Sequence, residues 1–241
     1  MKSALIMGAS GDIGAGIAKE LAESGWSLYL HYHTDDKSVG KQLRDYQTAF
    51  PKQDFFGIKL DMTDESGIEE FVKNIFQLDA IIFSSGFTTF QLLTEVTSKT
   101  MDDMWAVHVK TPLLMLQTLQ TKLAYSRSGR VVFISSIYGE SGSSMEVIYS
   151  TTKGAQLSFV KAYSKEVASL GITVNAISPG AIETKMNSDF SELDLAALKE
   201  EIPVGRMGSI SEISFWVHQL LEPRSAYLTG QSIIVSGGWL R

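Results

Sequence analysis

There is no cysteine among the 241 residues, which excludes disulfides, thiolate metal sites and cysteine nucleophiles together. There is no basic block either: 21 Lys and Arg are scattered among 27 Asp and Glu, and a net charge of -6 argues against a nucleic-acid footprint. No stretch approaches the roughly 18 apolar residues of a membrane-spanning helix. The N-terminal segment reaches Gly8 too soon for the apolar region of a secretory leader. Low-complexity tracts, repeats and internal linkers are missing, and a hydrophobic fraction of 44% is enough for one large core. The expectation is one soluble, cytoplasmic domain over residues 1–241, with no nucleic-acid, membrane or metal partner.

What is present is a strict alternation. Short apolar runs at 4–7, 27–31, 54–59, 80–83, 130–135, 173–177 and 232–235 read as strands buried on both faces. Helical patterns lie between them at 13–24, 38–49, 65–77, 101–125, 150–170 and 211–221. Strand and helix in succession imply right-handed crossovers and a parallel sheet covered on both sides. The expected fold is α/β, a doubly wound Rossmann-type architecture with a seven-stranded parallel sheet. Residues 184–208 break the rhythm. They hold Asp189-Phe190-Ser191-Glu192-Leu193-Asp194 and Pro203, predict a short helix, and have the length of a substrate lid; a surface excursion without a role is the alternative.

Gly8-Ala9-Ser10-Gly11-Asp12-Ile13-Gly14 follows the first strand and opens the first helix. Free N–H groups and the helix dipole hold a pyrophosphate at such a turn. A carboxylate at Asp12 would repel that pyrophosphate, so it is expected to point away and cap the helix start. The second strand ends His31-Tyr32-His33-Thr34, with no acid for a ribose 2′-OH before Asp35 and Asp36. His31 or His33 facing a 2′-phosphate makes NADP(H) the preferred cofactor and NAD(H) the alternative; that both are ordinary strand-end residues is the other reading.

Tyr149 and Lys153 are four residues apart at the start of a predicted helix, which puts them on one face. A free tyrosine titrates near 10, and a neighbouring ammonium is expected to lower that value. Such a pair is an acid–base for carbonyl or alcohol chemistry. Ser136, at the end of the fifth strand, is placed to donate to a carbonyl oxygen.

The glycine turn, Ser136, Tyr149-x-x-x-Lys153, Asn175-Ala176-Ile177-Ser178-Pro179-Gly180, and Thr229-Gly230-Gln231 with Gly237-Gly238 together resemble the short-chain dehydrogenase/reductase family across the whole chain. The resemblance implies that Ser136 orients the substrate carbonyl, Tyr149 gives the proton, and Lys153 holds the ribose and tunes Tyr149. It places Asp61 and Met62 at the adenine, Ser84, Ser85 and Gly86 along the cofactor, and Pro179, Gly180, Ile182 and Thr184 near the nicotinamide. Three positions depart from the family pattern: Asp12 replaces a glycine, Phe83-Ser84-Ser85-Gly86 replaces Asn-Asn-Ala-Gly, and His108 stands where a catalytic asparagine supports a water relay. A neutral imidazole can also relay a proton, so His108 is expected to act there and to shape the pH profile; a ring that only fills space is the alternative.

By general pattern the chain resembles the 3-oxoacyl-acyl-carrier-protein reductases, which dock an acidic carrier on basic residues. Arg127 falls on one of these, but Leu170 takes the second position. A narrower resemblance is to the elongation factor P 5-aminopentanone reductases. It rests on Leu-x-His-Tyr in the second strand, His108-Val109, the run 136–140, the run 146–149, and Gly237-Gly238-Trp239. That group reduces a ketone on a modified lysine to an alcohol. Glu140 and Glu146 precede Tyr149, where carboxylates would suit an ammonium-bearing substrate; two solvated glutamates are the alternative. A catalytically silent dinucleotide sensor would have no need of Tyr149 and Lys153, and a purely structural protein leaves Ser136 unexplained as well. Apolar residues on several faces of the two long helices (Val107, Val109, 113–116, Phe159, Val160 and Tyr163), with Trp239 and Leu240, suggest subunit packing; the family resemblance implies a homotetramer.

Overall fold

The computed structural model describes residues 1–185 and 191–239. Seven parallel strands form one sheet in the order β3-β2-β1-β4-β5-β6-β7. They are β1 Ser3–Met7, β2 Ser27–Tyr32, β3 Phe55–Lys59, β4 Ala80–Phe83, β5 Arg130–Ile134, β6 Thr173–Pro179 and β7 Ser232–Val235. Every residue of β1, β4, β5 and β6 is buried, as both faces are covered, whereas the edge strands β3 and β7 each expose residues.

Because side chains alternate along a strand, each apolar run serves two cores. Leu5, Met7, Ile81, Phe83, Val131 and Phe133 enter one of them, packed against the later helices α5 (Thr111–Tyr125) and α7 (Val147–Val167). Ala4, Ile6, Ala80, Ile82, Val132 and Ile134 enter the other, beneath α1 (Asp12–Glu23), α2 (Asp36–Ala49) and α9 (Ile210–Leu221). The strand order reverses between β1 and β4. The crevice beyond their C-terminal ends is where an open α/β sheet binds ligands.

Three expected helices differ. The 65–77 pattern is a single turn at Glu65–Gly67 followed by α3, Ile68–Lys73. It stops because Lys122 caps the carbonyls of Val72 and Ile75, and Ile75 turns into the core ahead of β4. The 101–125 pattern begins earlier, as α4 (Ser98–Trp105) capped by Thr97, and passes through a π-helical turn at Ala106–Lys110 before α5. The helix expected from 150 starts at Val147, so Tyr149 lies in its first turn. Two short helices complete the top of the sheet, α6 (Tyr138–Ser141) and α8 (Glu192–Glu201). Ser191 and Asp194 cap α8 reciprocally. Asp189, Phe190 and Leu240 lie outside the described residues.

The apolar residues expected to face a second subunit are mostly internal. Val109, Met115, Leu116, Val160 and Tyr163 are buried, and Val107, Leu114 and Phe159 pack against the same core. No described helix is long and apolar enough to cross a membrane.

Candidate active site

Ten of the expected cofactor residues line one cavity of about 450 Å3 at the β1/β4 switch: Gly8, Ser10, Gly11, His31, His33, Asp61, Met62, Ser84, Ser85 and Gly86. Thr63, Phe87, Asp103 and Val107 complete the lining; the first three carried no sequence signal, and Val107 was expected at a subunit interface instead. The glycines are there for clearance. A Cβ on Gly14 would stand 2.1 Å from the Gly8 carbonyl oxygen, and one on Gly8 would stand 2.8 Å from the Ser85 backbone. The helix start and the β4 loop therefore meet through bare backbone. Ile13 packs against the α1-side core, and Ser84 donates to the Met7 carbonyl at 2.6 Å. The Ser85 hydroxyl is buried with no partner among the described residues, a polar atom in the cavity wall awaiting a ligand. The N-terminus of α1, close-packed glycines and an orphan hydroxyl fit a dinucleotide.

Two expectations about this turn are corrected. Asp12 does not cap α1, whose N-cap Gly11 offers no side chain. Its carboxylate turns outward and accepts the backbone N–H of Lys185 at 2.6 Å. His31 does not present a cation to a 2′-phosphate. Its Nδ1 accepts the Gly8 N–H at 2.9 Å, and its Nε2 then donates to the Leu60 carbonyl at 3.0 Å. Burial pulls its pKa down to about 4, so the ring is a neutral brace behind the glycine turn. His33 remains half-exposed at the rim, 3.5 Å from the Asp61 carboxylate. Asp61 is held by the Thr63 N–H and hydroxyl, which lower its pKa. The Met62 side chain belongs to the core, and its carbonyl accepts from Thr111.

The catalytic candidates form a second group next to the first. Ser136 follows β5 and is close enough to Tyr149 to pull its pKa down; its oxygen accepts the Tyr138 N–H at 3.2 Å. Lys153 Nζ sits 5.4 Å from the centre of the Tyr149 ring and donates to the Ile134 carbonyl at 2.8 Å. This cluster depends on Gly139, where a Cβ would stand 2.8 Å from the Lys153 carbonyl carbon, so α6 lies directly on α7. The expected acidification of Tyr149 by Lys153 is not found. Burial raises the phenol pKa, only partly offset by the Ser136 hydrogen bond, and burial also lowers Lys153 to about 7.

His108 differs from its expected part as well. It is fully buried in the π-helical turn; its Nε2 accepts the Phe87 N–H at 3.1 Å, and its Nδ1 meets Thr152 Oγ1 at 2.8 Å. Thr152 in turn donates to the Tyr149 carbonyl at 2.8 Å. Burial, then the Lys153 charge, hold the imidazole pKa well below its ordinary value. With both nitrogens occupied it is a neutral strut between the β4 loop and the first turn of α7, and neither nitrogen bonds Lys153. Its carbonyl is taken by Gln156 at 2.7 Å, a buried link that spacing gave no means to find.

Glu146 accepts from Thr88 at 2.8 Å and Ser143 at 3.3 Å, and its charge raises the Tyr149 and Tyr138 pKa values. It therefore lies within electrostatic reach of the Tyr149 phenol. Glu140 is exposed on α6. Trp239 meets Tyr138 edge to face at 6.1 Å. On the far side of the crevice, Pro179 accepts the Ile137 N–H, Gly180 abuts Ser236, Ile182 pairs with Gly208, and Thr184 precedes the Lys185 anchor. These four do not line the 450 Å3 cavity.

Comparison with known proteins gives one consistent answer. The family model described as enoyl-(acyl carrier protein) reductase matches residues 8–240. An uncharacterized oxidoreductase of Bacillus subtilis, YmfI, is 38% identical, covering 99% of this chain and 98% of its own. The 3-oxoacyl-[acyl-carrier-protein] reductase of Salmonella typhimurium is 31% identical over 98% of this chain and 96% of its own. A solved Serratia marcescens short-chain dehydrogenase/reductase mutant superposes with a TM-score of 0.92 at 28% identity, over 100% of this chain and 98% of that one.

Proposed function

The chain belongs to the short-chain dehydrogenase/reductase family of oxidoreductases, and on that premise we propose that it is an NADP(H)-dependent ketone reductase with a cationic substrate. The observation that carries the reading is the Ser136–Tyr149–Lys153 cluster, which does not line the glycine-turn cavity but is joined to its wall through His108, whose ring meets Tyr149 at 5.6 Å and accepts the Phe87 N–H. NADP(H), when bound, supplies the hydride. Gly8, Ser10, Gly11, Ser84, Ser85 and Gly86 would hold it. No acid stands at Leu30–His33 to demand a free 2′-OH, and His33 at the rim can meet a 2′-phosphate.

The rest falls to the chain's own side chains. Ser136 donates to the ketone oxygen and fixes it against Tyr149. The Tyr149 phenol gives its proton to that oxygen as hydride arrives at the carbon, producing the alcohol. A phenol whose pKa is raised by burial holds its proton at neutral pH, as a general acid requires. Lys153, poised near 7, then restores the proton.

For the substrate, the Glu146 carboxylate supports a ketone carrying an ammonium, such as the 5-aminopentanone on a modified lysine of elongation factor P, reduced to 5-aminopentanol. The alternative is a 3-oxoacyl group on acyl carrier protein, favoured by Arg127 and by the 31% identical relative, with Leu170 against it. A homotetramer acting in the cytoplasm, with 184–208 as its lid, completes the reading. The test is NADPH absorbance with paired ketones, one with and one without an amine, for the unaltered protein and Glu146→Gln. A selective loss of about tenfold on the amine-bearing ketone supports the reading. Equal losses on both ketones end the cationic assignment. No NADPH consumption with any ketone, or full activity in Tyr149→Phe, ends the reductase assignment.

A further inference from the structure

At the end of the sheet opposite the glycine turn, the starts of β5 and β6 and the loop before β7 enclose a second cavity of about 270 Å3. Two guanidinium groups, Arg127 and Arg130, and the hydroxyl residues Ser128, Thr173 and Thr229 line it, and no carboxylate does. In a chain of net charge -6 this is a local reversal of sign.

Arg130 is the telling residue. It opens β5 and is only 3% exposed. Its Nη1 donates to the Gly129 carbonyl at 3.0 Å, while its buried Nε has no hydrogen-bond partner among the described residues. A buried, unpaired cationic donor is costly to a fold unless something fills its remaining valences. Arg127 stands at the exposed rim, with its own backbone at φ 51. Gly171 abuts it so closely that a Cβ there would lie 2.4 Å from the Arg127 carbonyl oxygen. The rim arginine is thus carried on a turn that the neighbouring backbone fixes. Arg127 alone would suit any acidic partner; Arg130, deep in the wall, suits only something small enough to enter.

We propose that this cavity binds a small phosphate, with Arg130 as the inner donor and Arg127 as the outer one. Two guanidinium groups and the Thr173 and Thr229 hydroxyls offer more donors than the two oxygens of a carboxylate can accept, and they match the three or four oxygens of a phosphate. The ligand is free phosphate or the phosphate end of a small metabolite.

Calorimetric titration of the NADPH-saturated protein, at ionic strength held constant with chloride, tests this. Inorganic phosphate is one probe and glycerol 3-phosphate the other. The expected result is one saturable site per chain for at least one probe, weakened about tenfold or more in Arg127→Gln. Tighter binding of the ester identifies a metabolite site, and tighter binding of the free ion identifies a phosphate site. Arg127 is chosen because it is exposed, so its loss leaves the core intact; Arg130→Gln is the companion variant, with folding checked by circular dichroism. Absence of saturable binding by both probes, or binding that survives Arg127→Gln unchanged, overturns the proposal. Phosphate binding seen only without NADPH belongs to the cofactor crevice and overturns it equally.

Discussion

The Asp12 carboxylate accepts the backbone N–H of Lys185 at 2.6 Å, and the Lys185 ammonium stands 3.7 Å from its other oxygen. One residue of the glycine turn thereby fastens the start of the 184–208 segment. A carboxylate that would otherwise repel a pyrophosphate is turned outward and used as an anchor. Asp12→Ala should lower kcat/KM about fivefold to tenfold, in line with loss of one charge-assisted hydrogen bond. Asp12→Asn keeps an acceptor and should recover most of the activity. Steady-state kinetics with NADPH and a ketone check this, and an Ala variant matching the unaltered enzyme would rule out the anchoring role.

Lys153 makes stability depend on pH in a direction unusual for a lysine. Its pKa is about 7 in the folded chain against 10.5 for the free side chain. Between these values the unfolded chain binds the extra proton, so stability rises with pH across that window. The cost of burying the ammonium is complete below 7 and gone above 10.5. Lys153→Met should therefore raise Tm at pH 7 by on the order of 5 °C, with the gain fading toward pH 10.5, while activity falls by at least about a hundredfold. Thermal melts at several pH values decide it; a Tm gain independent of pH would assign the effect to packing alone.

Much of this was legible in the chain. The strands could be read because β1, β4, β5 and β6 are buried on both faces, which leaves continuous apolar runs. Gly8, Ser136, Tyr149 and Lys153 could be read because backbone approach, a strand end and helical spacing each leave a mark in sequence. Three of the failures, at His31, Asp12 and His108, share a cause: they turn on hydrogen bonds between residues distant in sequence. Nothing around His31 announces that its ring will accept the Gly8 N–H 23 positions away. Nothing around Asp12 announces Lys185, and the π-helical turn at His108 has no residue pattern of its own. The Tyr149–Lys153 expectation failed differently, since spacing shows proximity but not burial, and burial decided both pKa values.

Glycine clearance at the crevice separates steric need from helix propensity. Gly14 and Gly40 both lie inside helices. A Cβ on Gly14 would stand 2.1 Å from the Gly8 carbonyl oxygen, whereas one on Gly40 would meet only the far end of Arg44 at 3.6 Å. Gly14→Ala should cost about 3 kcal/mol and weaken NADPH binding. Gly40→Ala should stabilise the chain by about 0.5–1 kcal/mol. Urea unfolding of both variants tests the contrast, and similar effects of like sign would contradict the close approach at Gly14.

His108 ties Phe87 to Thr152, and through Thr152 to the first turn of α7. The ring stays neutral across the physiological range because burial holds its pKa far below 6.5. An inflection near pH 7 in kcat/KM is therefore expected from Lys153, and it should persist in His108→Asn. His108→Ala leaves the Phe87 N–H unpaired and opens a void, so it should cost about 2–4 kcal/mol of stability. Thr152→Val should reproduce part of that loss without touching a titrating group. The measurement is a pH profile of kcat/KM from 5 to 9 for the three variants beside the unaltered enzyme. Disappearance of an ionisation between 6 and 7 in His108→Asn alone would restore the imidazole as a proton relay and remove it as a strut.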